Sequence, residues 1–471
     1  MVEQKPKVGL IIVPSVFLAS ERVLVSLGLL RIAAVLEAEG YPVEVLDLNS
    51  VANYKEIVAD YCAATEATVF ALSLTTPQLP SAEEVVKTIR QVRSNARILA
   101  GGPHITGAIA AYKREKNHGY QDRAYRAYSR LTQIFDCVVS GDGERAIFLA
   151  LQSNAPKVID GDDVDSELFI QAAELVNFPF PARHLISLSD YKYYIDSVPA
   201  TSLIMQLGCC FGCAFCGLRL SPSFRKIRIR PIDNVLAEIR EIYQIYGFRG
   251  LNILDDELNV NPHFLQDLQQ LAELQDALKI ELRCRGFLKA ELLTEKMARA
   301  MYAVGFRTVL IGFESGDRRI LANIKKRATL DDNTRAMEIC HKVGLKVKAL
   351  MSCGHAGERP ESIEATQNWL LQVQPADMDL TIIQPYCSTP YYDFAVPLSA
   401  EKRIYVYTAA NGDRLYSKEI NFSECATYYK GVPSEYTSHV WTDFITAEEI
   451  VKMRDMVEKT VREKLHIPFY P

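Results

Sequence analysis

The sequence predicts an α/β protein with two parallel-sheet domains and a small mixed C-terminal region. Its 471 residues exceed the usual size of one domain. Twice along the chain, short apolar runs rich in β-branched residues alternate with amphipathic helical patterns, which is typical of parallel sheets covered by helices. We therefore expect an open doubly wound sheet at 1–170, a linker at 171–197, a partial (β/α)6 barrel at 198–395 and the mixed region at 396–471.

In the first series, the predicted strands run directly into turn-forming or small polar residues. The strands are expected at 8–13, 43–48, 69–74, 98–100 and 137–140, with a helix at 27–38. Ligands of doubly wound sheets bind beyond the carboxyl ends of the strands. We therefore predict a ligand rim formed by Ser15, Thr75, Pro77, Gln78, Gly101, Gly102, Pro103, Gly141, Asp142, Gly143 and Glu144.

The second series contains six β/α units. Its strands are expected at 200–206, 251–254, 280–285, 309–314, 347–352 and 380–385. Six units are too few to close an eight-stranded barrel, so we predict a partial barrel with its active groups at the carboxyl ends of the strands. Beyond 395 the pattern becomes an aromatic-rich tail with one clear helix at 447–464, which either caps an active site or adds stabilising packing.

Composition argues against several classes of protein. Lys and Arg number 53 against 58 Asp and Glu, a net charge of −5, so the surface as a whole does not attract nucleic acid or anionic membranes. Segment 112–130 is basic and tyrosine-rich, but we expect a solvated helical insertion because nothing else in the chain is basic enough to bind nucleic acid. No apolar run is long enough to span a membrane and the start lacks a signal-peptide pattern, so we expect a cytoplasmic protein.

Three cysteines follow the first predicted strand of the second series at close spacing. Cys209, Cys213 and Cys216 form a CxxxCxxC pattern. Thiolates hold iron–sulfur clusters, and three of them on a compact loop leave a fourth iron open for a small molecule. A structural zinc site would need a fourth ligand, and no histidine lies nearby in sequence. Two other readings are packing as small hydrophobic side chains and a CxxCxxC set with Cys210 in place of Cys209; we prefer Cys209.

With this pattern, and with Phe215 as the aromatic residue before the last cysteine, the region resembles the radical S-adenosylmethionine (SAM) superfamily. The resemblance implies a four-iron four-sulfur cluster on Cys209, Cys213 and Cys216, whose open iron chelates SAM. One-electron reduction of bound SAM would then give methionine and a 5′-deoxyadenosyl radical. A small electron-donor protein such as flavodoxin or ferredoxin is implied as a partner.

The same resemblance assigns further residues of the second domain to SAM. Asp255, Asp256, Glu257 and Glu314 would bind its ribose or amino group, since hydroxyl and ammonium groups are held by carboxylates, with Arg285 nearby. Solvated loop acids are the alternative for Asp255. The chain departs from the family at His355, in a turn that is usually similar to Leu-Pro-Gly-Glu. His355 could face the substrate, although a surface loop position is commoner for histidine.

The first domain resembles the Rossmann-like cobalamin-binding domain that one branch of the family carries before the barrel. The resemblance rests on Ala100-Gly-Gly-Pro-His104 and Ser140-Gly-Asp-Gly-Glu144, whose glycines permit close approach of a bulky ring. The Asp-x-His-x-x-Gly motif, which supplies a lower axial histidine in other cobalamin proteins, is absent. We therefore expect no histidine from that motif on cobalt.

The resemblance implies a cobalamin-dependent C-methyltransferase. Methylcobalamin would supply the methyl group to an unactivated carbon of a small-molecule, natural-product or peptide substrate. Rearrangement, cyclisation or oxidation with the same cofactors is the alternative. RNA methylthiolation fits less well, because residues 1–190 hold only Cys62 and Cys137 and a second cluster needs three cysteines. A non-catalytic metal-binding protein is a different class.

Overall fold

The computed structural model describes residues 5–15, 22–217, 219–425, 428 and 436–469. It divides into two units. Unit 1 comprises 1–192 with the short returns 220–226 and 421–426, and unit 2 comprises 193–219, 227–420 and 427–471.

Unit 1 is a parallel sheet of six strands in the order β2-β1-β3-β4-β5-β6. The order reverses between β1 and β3, and such a switch point forms a crevice at the carboxyl ends of the two strands. The predicted doubly wound fold is therefore confirmed. In chain order the elements are β1 (Val8–Ile12), α1 (Leu27–Ala38), β2 (Val43–Asp47), α2 (Tyr54–Ala64), β3 (Val69–Ser73), α3 (Leu79–Val92), β4 (Arg97–Gly101), α4 (Pro103–Asn117), α5 (Arg123–Ile134), β5 (Cys137–Gly141), α6 (Ala146–Ala150) and β6 (Val158–Gly161).

The sequence analysis missed β6 and misjudged segment 112–130. That segment is not a solvated insertion, because it forms the end of α4 and most of α5, which pack on each other. The rings of Tyr112 and Tyr128 stack at 4.0 Å. The buried Glu115 carboxylate accepts hydrogen bonds from the main-chain nitrogens of Asp122, Ala124 and Tyr125.

Unit 2 contains a sheet in the order β15-β14-β13-β12-β11-β8-β7. The six strands from β8 to β15 are parallel and neighbours in space follow one another along the chain, so the predicted partial barrel is confirmed; β7 adds an antiparallel strand at the edge. The elements are β7 (Tyr194–Ile195), β8 (Val198–Leu203), β9 (Gln206–Leu207), α7 (Pro222–Arg225, which belongs to unit 1), β10 (Arg228–Ile229), α8 (Ile232–Tyr246), β11 (Gly250–Ile253), α9 (Phe264–Leu278), β12 (Arg283–Leu288), α10 (Glu295–Ala303), β13 (Phe306–Glu314), α11 (Arg318–Asn323), α12 (Leu330–Val343), β14 (Lys346–Cys353), α13 (Pro360–Val373), β15 (Asp377–Ile382), α14 (Pro390–Asp393), β16 (Val396–Ser399), β17 (Ile404–Thr408), β18 (Arg414–Lys418), β19 (Val440–Trp441) and α15 (Ala447–Leu465).

Two predicted barrel strands are shifted by three residues. The third was expected at 280–285, but α9 ends at the left-handed Lys279 and the strand begins only at Arg283. Arg285 therefore lies inside the strand rather than beyond it. The sixth was expected at 380–385, whereas β15 begins at Asp377.

The C-terminal region forms a four-stranded antiparallel sheet, β16-β17-β18-β19, followed by α15. Helix α15 packs against β15, the edge strand of the barrel. Arg454 and Arg462 are buried and donate hydrogen bonds from α15 to the main-chain oxygens of Leu380 and Met378. A helix laid along an edge strand protects it from pairing with another chain. No helix among the described residues is long and apolar enough to cross a bilayer.

We expect Arg462→Met to destabilise unit 2 by about 3 to 5 kcal/mol, the usual cost of removing one partner from a buried ion pair. The guanidinium lies 3.2 Å from Glu458 and 3.3 Å from Asp377, and those carboxylates would lose their cation. Chemical denaturation measures the change in the free energy of unfolding. Lys459→Met, on the exposed face of the same helix, should change it by less than about 0.5 kcal/mol. Similar losses in the two variants would contradict this role for Arg462.

Candidate functional site

The cysteine loop lies at the carboxyl end of β8, the first parallel strand of the barrel. Two main-chain hydrogen bonds fix its centre: Ala214 donates to the oxygen of Ile324 at 2.8 Å, and Tyr391 donates to the oxygen of Ala214 at 3.1 Å. Segments that follow β13 and β15 therefore hold the loop at the mouth of the barrel. Phe215 packs on the buried Ile324 side chain and on the rest of that small apolar cluster.

The structure places Cys209, Cys213 and Cys216 on this one loop. Cys209 and Cys213 are half-buried and Cys216 is exposed, as is Cys210. Within the described ranges, no three His, Cys, Asp or Glu side chains converge as ligands of one metal ion. A zinc ion would require such convergence. In a four-iron cluster each thiolate binds a different iron, so the spread of the three thiols is compatible with a cluster.

The electrostatics of the loop also fit an anionic thiolate cluster. Burial raises the pKa of the Cys213 thiol, and the ammonium groups of Lys326 and Lys289 oppose that shift. Both lysines are buried, and Lys289 Nζ donates to the main-chain oxygen of Lys326 at 2.7 Å. Lys289 Nζ also lies 4.4 Å from the centroid of the Phe211 ring. Two cations are thus fixed beneath the loop.

The three acids that follow β11 have different surroundings. Asp255 is buried and accepts a hydrogen bond from the main-chain nitrogen of Met205 at 2.7 Å, and burial raises its pKa to about 7. Asp256 is exposed. Glu257 Oε2 is buried without a hydrogen-bond partner, and burial raises the pKa of that carboxyl to about 7. A buried unpaired carboxylate oxygen beside the cysteine loop fits a cationic group such as the ammonium of SAM.

Glu314, at the end of β13, has a left-handed backbone conformation with φ of 67°. Its Oε1 accepts from Lys326 Nζ at 2.7 Å and its Oε2 from Ser352 Oγ at 2.6 Å. Burial favours the neutral acid, but Lys326 and the two hydrogen bonds outweigh it and lower the pKa. Glu314 is therefore an ionised, oriented carboxylate with lone pairs left for a ligand. Arg285, in contrast, points its guanidinium towards the Tyr193 ring at 5.2 Å from the centroid.

His355 is fully buried, so the commoner surface position does not apply here. Burial lowers its pKa to about 4 and keeps it neutral. Since the single proton of Ser352 Oγ goes to Glu314, the network assigns the tautomer: His355 Nε2 donates to Ser352 Oγ at 2.8 Å and Nδ1 accepts from the Tyr391 hydroxyl at 3.3 Å. The His355 ring also meets the Phe215 ring edge to face at 5.2 Å. A directed chain of hydrogen bonds thus runs from Tyr391 to Glu314.

In unit 1, the rim residues after β1 and β3 are tied to each other. The side chain of Gln78 donates to the main-chain oxygen of Val13 at 2.6 Å and accepts from both Thr75 N and Thr75 Oγ1 at 2.9 Å. Pro77 follows in the short helical turn, and Ser15 lies just beyond β1. Thr75 and Gln78 therefore shape the crevice at the switch point, and their polar groups are largely used within the protein.

The rim glycines after β4 and β5 allow tight backbone packing. A Cβ on Gly102, whose φ is 95°, would lie 2.7 Å from Leu74 N, and a Cβ on Gly141, whose φ is 80°, would lie 2.4 Å from the carbonyl carbon of Gly161. Thr106 Oγ1 links the two turns: it donates to the oxygen of Gly102 at 3.1 Å and accepts from the nitrogen of Gly141 at 2.9 Å. The remaining rim residues lie on the same two turns: Gly101, Pro103, Asp142, Gly143 and Glu144.

Several residues of this rim were missed by the sequence analysis. Gly161 and Asp162 follow β6, and Asp162 is buried and accepts from Ser221 Oγ at 2.6 Å. The Gly-Asp pair repeats Gly141-Asp142, which is the signal that could have revealed this turn. His104 is also buried, and its Nδ1 lies 3.0 Å from Thr76 Oγ1.

Comparison with known families shows what the two units are. The B12 binding domain model matches residues 15–132, and the Radical SAM superfamily model matches residues 203–370. The chain is a radical SAM protein with a B12-binding domain. The resemblance inferred from the sequence motifs is thus confirmed, and the chain is a cobalamin-dependent radical SAM enzyme with a four-iron four-sulfur cluster, SAM and cobalamin as cofactors.

Similar proteins carry the same combination at low identity. An uncharacterized methyltransferase of Pyrococcus horikoshii is 26% identical over 79% of this chain and 78% of its own. The anaerobic magnesium-protoporphyrin IX monomethyl ester cyclase of Cereibacter sphaeroides is 22% identical over 72% of this chain, which spans 54% of that relative. Among solved structures, the radical SAM methyltransferase TsrM of Kitasatospora setae, with a tryptophan substrate and a SAM analogue, superposes with a TM-score of 0.64 at 16% identity, over 82% of this chain and 75% of its own.

Proposed function

We propose that this enzyme is a C-methyltransferase that acts on an unactivated carbon of a small-molecule, natural-product or peptide substrate. The observation that carries the proposal is the union in one chain of a doubly wound B12-binding sheet and a barrel with the CxxxCxxC loop at its mouth. When bound, the cluster and SAM supply a 5′-deoxyadenosyl radical that abstracts hydrogen, and cobalamin supplies a methyl group.

The residues of unit 2 have distinct proposed roles. Cys209, Cys213 and Cys216 would hold the cluster, with Lys289 and Lys326 stabilising its negative charge. The unpaired Glu257 oxygen would accept from the SAM ammonium group, and Glu314 from its ribose. Asp255 would fix the backbone at Met205 below the loop rather than contact SAM itself. This corrects the even treatment of the three acids that the sequence alone suggested.

The unit 1 rim is the proposed cobalamin site. Gly102 and Gly141 let the turns after β4 and β5 pack closely, which leaves backbone rather than side chains facing a large ring. Ser15, Thr75, Pro77 and Gln78 would line the opposite wall of the crevice, across the switch point.

A second candidate keeps the cofactors but omits methyl transfer. The magnesium-protoporphyrin relative is named as a cyclase and matches 72% of this chain, which favours considering radical cyclisation or oxidation. The methyltransferase names of the Pyrococcus relative and of TsrM favour methyl transfer.

The two candidates differ in their coproducts. Anaerobic turnover of a methyl-transfer reaction forms both 5′-deoxyadenosine and S-adenosylhomocysteine, because a second SAM remethylates the cobalt. We expect both coproducts, with S-adenosylhomocysteine accumulating in step with product. Formation of 5′-deoxyadenosine alone, in protein that retains cobalamin, would contradict methyl transfer and support the second candidate.

We expect Ser352→Ala to weaken SAM binding by roughly tenfold or more, because Glu314 loses a hydrogen bond to a charged group, worth about 1.5 to 3 kcal/mol. Equilibrium binding of SAM to the reconstituted protein measures the change. Thr381→Val is the matched control: Thr381 donates to the main-chain oxygen of Met351 at 3.3 Å and has no link to Glu314, so its affinity should stay within about twofold. Equal affinities in the two variants would remove Glu314 from the SAM site.

A further inference from the structure

A strongly basic pocket lies on the outer side of the cysteine loop, within unit 2. Its volume is about 440 Å³, and four cationic side chains line it: Arg219, Arg318, Lys325 and Arg327. The chain as a whole carries a net charge of −5, so this concentration of positive charge opposes the overall balance. A local potential of this kind attracts an acidic partner.

Most of this charge is not neutralised by neighbouring carboxylates. Arg318 pairs with Asp331 at 2.6 Å, but both side chains are exposed and such a pair is weak. Across the described parts of the chain, no ion pair involves Arg219, Lys325 or Arg327. The Arg219 Nε is buried without a hydrogen-bond partner. The pocket therefore presents three cations available to an external anionic surface.

The pocket is continuous with the proposed cluster site. The Arg219 guanidinium packs on Gly212, between Cys209 and Cys213, and Gly212 itself lines the pocket. On the other wall, Lys325 and Arg327 are exposed, while Lys326 between them turns inward to Glu314. Anything seated on the pocket is therefore separated from the cysteine loop only by the loop's own backbone.

We propose that this pocket is the docking surface for an acidic one-electron donor protein of the flavodoxin or ferredoxin type. The proposal rests on the cofactor assignment above, since a cluster on this loop must receive one electron from outside the chain. The reduced donor loses that electron and the oxidised cluster gains it, with no bond made or broken on this chain. An acidic protein surface fits better than a small anion, because Arg318, Lys325 and Arg327 lie on an exposed rim rather than around an enclosed point.

The test variant is Lys325→Glu with Arg327→Glu, which reverses two exposed charges. Both residues have left-handed backbones, with φ of 55° and 73°. The matched control is Lys279→Glu with Arg403→Glu, whose residues are also exposed and left-handed, with φ of 53° and 52°, but do not line the pocket. Charge change and backbone strain are therefore comparable in the two double variants.

The probe is an FMN-loaded flavodoxin added to anaerobically reconstituted holoenzyme. We expect the pocket variant to weaken flavodoxin binding by about tenfold or more and to flatten its salt dependence, with the control within about twofold of the parent. Cluster reduction by photoreduced flavodoxin, followed by electron paramagnetic resonance, should slow in parallel. Equal binding and equal reduction rates in both double variants would overturn the proposal.

Two further arms separate the remaining outcomes. With dithionite as reductant, the pocket variant should cleave SAM at the parent rate, which shows that its cluster site is intact. Loss of cleavage by the parent with dithionite would instead refute the cofactor assignment on which the proposal rests. Micromolar binding of inorganic phosphate that is lost in the pocket variant, with flavodoxin binding unchanged, would identify a small-anion site and overturn the docking proposal.

Discussion

Cys213→Ala is expected to abolish formation of 5′-deoxyadenosine while leaving cobalamin binding unchanged. Cys213 is the central cysteine of the loop, half-buried above Lys289 and Lys326, and the cluster would lose one of three thiolate ligands. Iron content, the absorbance of the reconstituted cluster and the yield of 5′-deoxyadenosine measure the effect. Cobalamin bands should persist, because the B12-binding model matches only residues 15–132.

Cys210→Ala is the matched control for that variant. Cys210 is an exposed cysteine of the same loop, but it lies outside the CxxxCxxC spacing. We expect it to keep its iron and to cleave SAM normally. Loss of the cluster in Cys210→Ala, with retention in a Cys209→Ala variant, would show that the ligands follow CxxCxxC spacing. Retained cleavage in Cys213→Ala would refute the cluster assignment altogether.

Gly141→Ala is expected to have the opposite selectivity, with loss of cobalamin binding and retention of iron. The added Cβ would lie 2.4 Å from both the Gly161 carbonyl carbon and Asp162 N, so the backbone of one turn must move. The left-handed conformation alone costs an alanine about 1 to 3 kcal/mol. We expect cobalamin affinity to fall by at least about tenfold, since each 1.4 kcal/mol changes an equilibrium constant tenfold. Absorbance after gel filtration with cobalamin measures it.

Gly119→Ala separates backbone strain from displacement of the rim. Gly119 has nearly the same φ, 77°, and lies in the same unit, but a Cβ there meets no atom within 4 Å. That variant should lose a little stability and keep its cobalamin. If both alanine variants bind cobalamin equally well, the turn at Gly141 is not part of the cofactor site.

The parts of this enzyme that were predictable from sequence are those with a local signal. The strands of both sheets stand out because buried parallel strands are short apolar runs with turn residues at each end. The cysteine loop stands out because thiolate spacing is set within eight residues of sequence. Strand β6 was missed because Val158–Gly161 contains only two apolar side chains and an aspartate. Its place in the sheet depends on pairing with β5.

The parts that were not predictable depend on contacts between distant segments. His355 looks like a loop histidine in sequence, and its burial follows from Phe215 and Tyr391 meeting it from two other segments. The basic pocket combines Arg219 with residues a hundred positions later. The different roles of Asp255 and Glu257 likewise depend on which carboxylate oxygen finds a main-chain donor. No periodicity or spacing encodes such arrangements.

The central claim is that one chain assembles a three-cysteine iron–sulfur cluster and binds cobalamin in a separate unit. Anaerobic reconstitution with iron, sulfide and cobalamin, followed by elemental analysis, tests it most directly. The account predicts about four irons and four sulfides per chain with one cobalamin, and an electron paramagnetic resonance signal of the reduced cluster that changes when SAM is added. Folded protein that instead takes up stoichiometric zinc, or whose cluster signal ignores SAM, would contradict it.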